Sequence, residues 1–197
     1  GSWADDFADY VEQHKGTLAD GTEVKVYFED IEDAETWAQI GQDESYDLII
    51  AHYLVDFIKD REVFLERMAD VLAPAGMCSV NGVSVSREHA FWKEMFGKLQ
   101  LKTEFFAERE AEAFKNQEEF TELLSKFFSK VETVTLESWM RYTDANELFT
   151  YLMEHYPEAK KYLAENEPVV KEYFTSEIKE KGAFLLPKSA DFQHCYK

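Results

Sequence analysis

Glycine is scarce and scattered in this chain. The 8 glycines among 197 residues never cluster, so nothing here resembles a glycine-rich loop that lets a backbone close around a phosphate or a dinucleotide. Cysteine is scarcer still. Cys78 and Cys195 form neither a disulfide framework nor a metal-ligand spacing, which fits a reducing cytoplasm. Cations are also short: 21 Lys and Arg face 40 Asp and Glu, for a formal net charge of -19. Phosphate backbones and anionic membranes are bound by clustered Lys and Arg, so this balance excludes nucleic-acid and membrane partners. A small neutral or cationic molecule, or a basic protein, is the easier partner. No apolar run is long enough for a transmembrane helix, and no basic-then-apolar leader opens the chain. Gly1-Ser2 reads as a tag remnant, leaving residues 3–197 as a single domain.

What is present is apolar substance in a strand-and-helix rhythm. Hydrophobic residues make 45% and aromatics 15% of the chain, enough for one sizeable core. The organising stretch is 46–83. It holds a continuous apolar strand candidate (48–51), an amphipathic helix candidate (60–72), a Pro-Ala-Gly turn (74–76) and a second strand candidate (77–83). Strand, helix, strand is the right-handed crossover unit of a parallel sheet. Consecutive apolar positions at 48–51 predict a strand covered on both faces. In the helix, Val63, Phe64, Arg67, Met68, Val71 and Leu72 form the inward face.

Before that unit, 4–16 reads as a helix presenting Phe7, Tyr10, Val11 and His14. Residues 24–28 alternate as a short strand, and 32–40 can form a helix followed by a polar loop at 41–45. After it, 86–99 reads as a helix capped by Ser86, with Phe91, Met95, Phe96 and Leu99 on one side. Residues 101–128 are helical with an interruption near Asn116-Gln117, and 131–142 alternates as a strand near a sheet edge. Thr143-Asp144 caps a helix through His155, Pro157 opens another, and Pro168 starts a helix that stops at Lys181-Gly182. Two closing strand candidates, 183–186 and 192–196, are predicted to form a hairpin across a Pro-Lys-Ser-Ala-Asp turn.

Three phrases stand in sequence: VYFEDIEDA, YDLIIAHYLVDFI and DVLAPAGMCSV. Their order and spacing resemble the class I S-adenosylmethionine-dependent methyltransferases, small-molecule branch, in which a strand ending in an acid is followed by phrases of the type FDLVIANHVLHHV and RVLKPGG. The resemblance runs from Val24 to the C-terminus. It implies an α/β fold, a Rossmann-like methyltransferase sheet that is mostly parallel with a C-terminal antiparallel hairpin, and S-adenosylmethionine as cofactor. It implies that Asp30 accepts a hydrogen bond from the adenine amino group with the backbone of Ile31 beside it, and that Ala51 and His52 border the methionine end of the cofactor and the substrate. Tyr53 stands where the family often has His. Residues 101–128 match the region where this branch builds a substrate lid.

The family's D-x-G-x-G-x-G loop and the acid ending its second strand are not found in this sequence. On the family order 3-2-1-4-5-7-6 the sheet is therefore expected to be N-terminally truncated, with its first two strands absent and the strand at 48–51 left with an open edge. Such an edge is a template for another chain, so a homodimer, a complementing N-terminal segment or a rearranged sheet is expected, and cofactor binding by this chain is expected to be weak.

Other features have plainer readings. Glu29, Asp30, Glu32, Asp33 and Glu35 suit a solvated acidic stretch better than a metal site, because no loop glycine stands at calcium-site spacing. His52, at a strand's C-terminal end, is a candidate general base or else a packed histidine. His14, His89, His155 and His194 have no metal-site spacing. Tyr10, Trp37 and Trp92 suit a core better than a substrate pocket. Ser84 and Ser86 lack a nucleophile elbow. The expected function is methyl transfer from S-adenosylmethionine to a small-molecule acceptor, with His52 and Tyr53 as the catalytic candidates. The alternative is a non-catalytic relative that associates through its exposed sheet edges.

Overall fold

The computed structural model describes residues 30–41, 46–81 and 87–197. The sequence-predicted helix at 4–16, the strand at 24–28, most of the loop at 41–45, Ser84 and the Ser86 cap lie outside the described residues. The described chain is mixed α/β. Its elements are α1 (Ala34–Ile40), β1 (Tyr46–Ala51), a 3-10 turn (Val55–Phe57), α2 (Arg61–Val71), β2 (Leu72–Val80), α3 (Arg87–Lys98), α4 (Glu104–Leu124) and β3 (Lys130–Tyr142). After them come α5 (Ala145–His155), a second 3-10 turn (Pro157–Ala159), α6 (Lys160–Glu165), α7 (Glu167–Lys181) and β4 (Phe184–Tyr196). No helix among the described residues is long and apolar enough to cross a membrane.

Local chemistry sets the element ends. Asp60 caps α2 by accepting from Val63 N at 3.1 Å, and Asp144 caps α5 by accepting from Asn146 N at 2.7 Å, which satisfies N–H groups the helix cannot. Pro168 stands in the first turn of α7, where its missing N–H costs nothing. Gly182 ends the same helix at φ 78°, a left-handed conformation that glycine takes without strain, and donates to Ile178 O at 2.8 Å.

The four strands lie in the order β1-β2-β4-β3. β1 and β2 are parallel and joined through α2, as the crossover reading predicts, while β4 is antiparallel to both β2 and β3. This order is the 4-5-7-6 portion of the sheet that the sequence resemblance implies. The Pro-Ala-Gly turn is a bulge inside β2: between two consecutive pairings β1 advances from Tyr46 to Leu48 while β2 advances from Leu72 to Met77. Gly76 is required there, since a Cβ would come within 2.8 Å of the Tyr46 carbonyl oxygen.

Several expectations are revised. β1 is an edge strand among the described residues and is not covered on both faces: Ala51 is 5% exposed, but Leu48 is 52% and Ile50 62% exposed, because α2 covers only one face. In α2, Val63 is exposed and Leu65 is buried in its place. The helix near Asn116-Gln117 is not interrupted; α4 runs unbroken for 21 residues, because neither residue breaks a helix that has core contacts on both sides. The C-terminal antiparallel pair is made differently from a hairpin between 183–186 and 192–196. Residues 184–196 form one continuous strand paired along its whole length with β3. Pro187 is tolerated because, among the described residues, β4 has only β3 beside it at that point.

Two cores flank this long ribbon. At its start β4 buries even-numbered residues, Phe184 and Leu186, against α3, α5 and α7, with Trp92 and Phe174 nearby. At its end it buries odd-numbered ones, Asp191, Gln193 and Cys195. Cys195 joins Cys78 and Val80 of β2, Phe64, Leu65 and Met68 of α2, and Phe120 and Leu124 of α4. Side chains alternate faces along a strand, so the two cores lie on opposite faces of the sheet. α4 ties them together, giving Phe106 to the first and Phe120 to the second.

Candidate functional site

In open α/β sheets ligands gather outside the carboxyl ends of parallel strands. Here those ends are Ala51 of β1 and Val80 of β2, which are register partners. The chain leaves β1 through His52 and Tyr53, and Tyr53 turns it sharply with φ at 55°. A non-glycine residue in that region is strained and must be held. The holder is Asn81, 6% exposed, whose Oδ1 accepts the Tyr53 backbone N–H. One step back on the same face, the Ser79 hydroxyl lies 2.8 Å from His52 Nε2. The Phe192 ring of β4 meets the His52 ring edge to face with centroids 4.7 Å apart. Three strands thus converge on one exposed histidine.

Beside this corner an apolar groove of about 380 Å³ is lined by residues of β1, the edge strand among the described residues, and of helices α1 and α2. Ile31, Trp37, Ala51, Leu54, Phe64 and Met68 are among its lining residues. Ile31 is fixed because its carbonyl accepts the Trp37 Nε1–H at 2.7 Å. Asp30 opens the adjacent turn, where one carboxylate oxygen accepts from Glu32 N at 2.9 Å. The Glu32 carboxylate in turn accepts from the backbone N–H of Lys59 at 2.8 Å, tying this turn to the chain that follows β1.

The five residues singled out from sequence therefore fall in one neighbourhood. Ile31 and Ala51 share the groove, Asp30 adjoins Ile31, and His52 and Tyr53 form the corner beyond Ala51. Trp37, read from sequence as core, lines the groove and meets Phe64 at 6.0 Å. Trp92 is core, with 0% exposure; Tyr10 lies outside the described residues. Sequence reasoning missed Ser79, Asn81 and Phe192. The available signal was the alternation Cys78-Ser79-Val80-Asn81, which puts two polar side chains on one face at the end of an otherwise apolar strand.

A flat aromatic ring suits the groove, whose walls are aliphatic and aromatic side chains. It presents no charged side chain among its described lining residues, so an uncharged part of a ligand fits these residues better than a charged one. The described residues hold no grouping of His, Cys, Asp and Glu arranged for a metal ion.

The other described histidines have surroundings of their own. His89 Nδ1 lies 2.7 Å from the Tyr156 hydroxyl, and burial, partly opposed by the Glu88 charge, lowers its pKa. His155 stacks on Tyr151 with centroids 3.7 Å apart, and His194 stands opposite Ser79 and Glu132 in the sheet. Next to them Glu88, 3% exposed, bonds Trp92 Nε1 at 3.0 Å, the Tyr151 hydroxyl at 2.9 Å and Lys188. Burial and then the Glu88 charge push the Tyr151 phenol far up. A buried carboxylate satisfied by two neutral donors and a cation is a structural arrangement.

Residues 10–80 match the family described as methyltransferase domain, a little over a third of the chain. Nothing among the curated proteins matches significantly. Among solved structures, a Haemonchus contortus phosphoethanolamine N-methyltransferase 2 in complex with phosphomonomethylethanolamine and S-adenosylhomocysteine is similar at 17% identity and a TM-score of 0.34, over 80% of this chain and 34% of that one. The same enzyme in complex with S-adenosyl-L-methionine gives 16% and 0.32, over 79% and 34%. A Galdieria sulphuraria protein provisionally assigned as a sarcosine dimethylglycine methyltransferase gives 16% and 0.35, over 94% and 63%. The chain spans about a third of the length of the Haemonchus enzyme.

Proposed function

We propose that this chain, whose residues 10–80 match a methyltransferase domain and whose strand order is that of the second half of a class I S-adenosylmethionine-dependent methyltransferase sheet, transfers a methyl group from S-adenosylmethionine to a small molecule. The observation that carries this reading is that Ile31, which follows Asp30, and Ala51, which precedes His52 and Tyr53, line one groove beside the carboxyl end of β1. The bound cofactor supplies a methyl group already activated on sulfonium sulfur. The protein's own work is then to bind, align and exclude water. Asp30 accepts from the adenine amino group with the backbone of Ile31 beside it, Ala51 and His52 border the methionine end of the cofactor and the acceptor, and Tyr53 stands next to them. The free thiols at Cys78 and Cys195 suit a reducing compartment such as the cytoplasm.

Calorimetric titration with S-adenosylmethionine tests this reading. Saturable binding that Asp30→Ala weakens supports it; no binding, even when an N-terminal segment carrying a glycine-rich loop is supplied in trans, overturns it.

A second reading is favoured by Leu48 and Ile50, both more than half exposed on β1. In the family order the place beside this strand belongs to strand 1, so the groove suits a complementing strand from another segment or a second copy. Light scattering across a concentration series separates the two, since a monomer at all concentrations removes the homodimer.

A further inference from the structure

Ser79 is 5% exposed and sits on β2 between Cys78 and Val80, both buried in the core. Its hydroxyl has one proton to give. Among the described residues its hydrogen-bond partner is His52 Nε2, at 2.8 Å. A buried hydroxyl that donates to nothing forfeits its hydration without return, so the favoured arrangement has Ser79 Oγ–H donating and Nε2 accepting. A neutral imidazole carries one N–H and one lone-pair nitrogen. If Nε2 holds the lone pair, the proton resides on Nδ1, which has no hydrogen-bond partner among the described residues. The Phe192 ring, edge to face at 4.7 Å, packs against the imidazole and limits its reorientation.

We propose that Ser79 is a positioning residue that fixes the Nδ1–H tautomer of His52, so that neutral His52 meets a ligand as a hydrogen-bond donor and not as a base. The proposal rests on the methyl-transfer reading only in naming the ligand. For that reaction it has a definite consequence for the acceptor. The molecule must present an accepting atom to His52, such as a carboxylate, phosphate or hydroxyl oxygen, and its nucleophile must arrive with a lone pair already available. An acceptor that needs His52 to strip its proton is excluded, because the only basic nitrogen of the ring is occupied by Ser79. Which nitrogen of a histidine carries the proton is commonly decided in this way, by the bond that the other nitrogen makes.

Imidazole 15N spectra of the full chain, recorded well above the ordinary histidine titration near about 6.5, read the tautomer directly. His52→Asn identifies the His52 signals by their loss. In the wild type Nδ1 is expected to be the protonated, pyrrole-like nitrogen and Nε2 the pyridine-like one. Ser79→Ala shifts the population toward Nε2–H, and Ser79→Thr, which keeps the hydroxyl, retains the wild-type pattern. A wild-type His52 protonated on Nε2, or signals unchanged by Ser79→Ala, overturns the proposal. These spectra require no cofactor, so their outcome is separate from the S-adenosylmethionine titration.

Discussion

Asn81 reaches from the end of β2 to hold the backbone N–H of Tyr53, the residue that turns the chain away from β1 at φ 55°. The bond links the two parallel strand ends where a ligand would sit, and it sustains a conformation that an L-residue avoids by about 1–2 kcal/mol.

Removing the holder should therefore cost more than removing the strain. Asn81→Ala is expected to lower the unfolding free energy by about 1 kcal/mol in urea melts. Tyr53→Gly should fall within roughly 0.5 kcal/mol of wild type, since relief of the positive φ offsets glycine's entropy. A neutral Asn81→Ala would show that the corner is held by other contacts.

Trp92 is the centre of the first core, with Phe96 and Phe106 at 6.5 Å, Phe174 at 5.9 Å and Phe184 at 6.0 Å between ring centroids. Trp92→Ala is expected to destabilise by about 3–5 kcal/mol. Trp92→Phe should cost less but also lose the donor to Glu88. Thermal melts of the two variants check the ranking.

His89 gives stability a pH dependence of known sign. Burial lowers its pKa from the ordinary 6.5, so the folded chain binds fewer protons there than the unfolded chain. Its contribution is fully present above 6.5 and is lost as pH falls through the lower folded value. Glu88 and Glu110 act against the shift, Arg109 and Lys188 with it. Unfolding free energy should decline from near neutrality into the mildly acidic range, and His89→Gln should flatten that slope.

Cys78 and Cys195 stand directly opposite each other on β2 and β4, both 0% exposed. Contact with Cys78, followed by burial, pushes the Cys195 thiol up, and the thiolate is the reactive form. Thiol reagents should leave both unmodified in the native protein and label both promptly in denaturant; rapid native labelling would contradict the burial.

The methyl-transfer proposal makes its own prediction. Asp30→Ala should weaken S-adenosylmethionine about tenfold, the equivalent of one charge-assisted hydrogen bond of about 1.4 kcal/mol. Leu136→Ala, on the exposed face of β3, should leave the affinity unchanged.

Much of this architecture is local and so could be read from the chain. The α2 cap at Asp60, the α5 cap at Asp144 and the αL stop at Gly182 depend on residues within a few positions of each other, and the parallel crossover 46–80 on consecutive elements. The proposed site residues Asp30, Ile31, Ala51, His52 and Tyr53 came from phrases whose spacing resembles a known family; that Ile31 and Ala51 line one groove was for the fold to show. What tertiary structure alone decided involves partners distant in sequence. Strand 184–196 is continuous because β3, more than forty residues earlier, offers it a full ladder; nothing in Pro187 or its neighbours announces that. β1 looked doubly covered because apolar runs do not say which faces are packed; the resemblance implied an open edge, and the fold shows Leu48 and Ile50 exposed on a strand that is at the sheet's edge among the described residues. Whether His52 works as a base or a donor depends on Ser79, 27 residues away, since the proton's place on an imidazole is settled by the partner that folding brings to its other nitrogen.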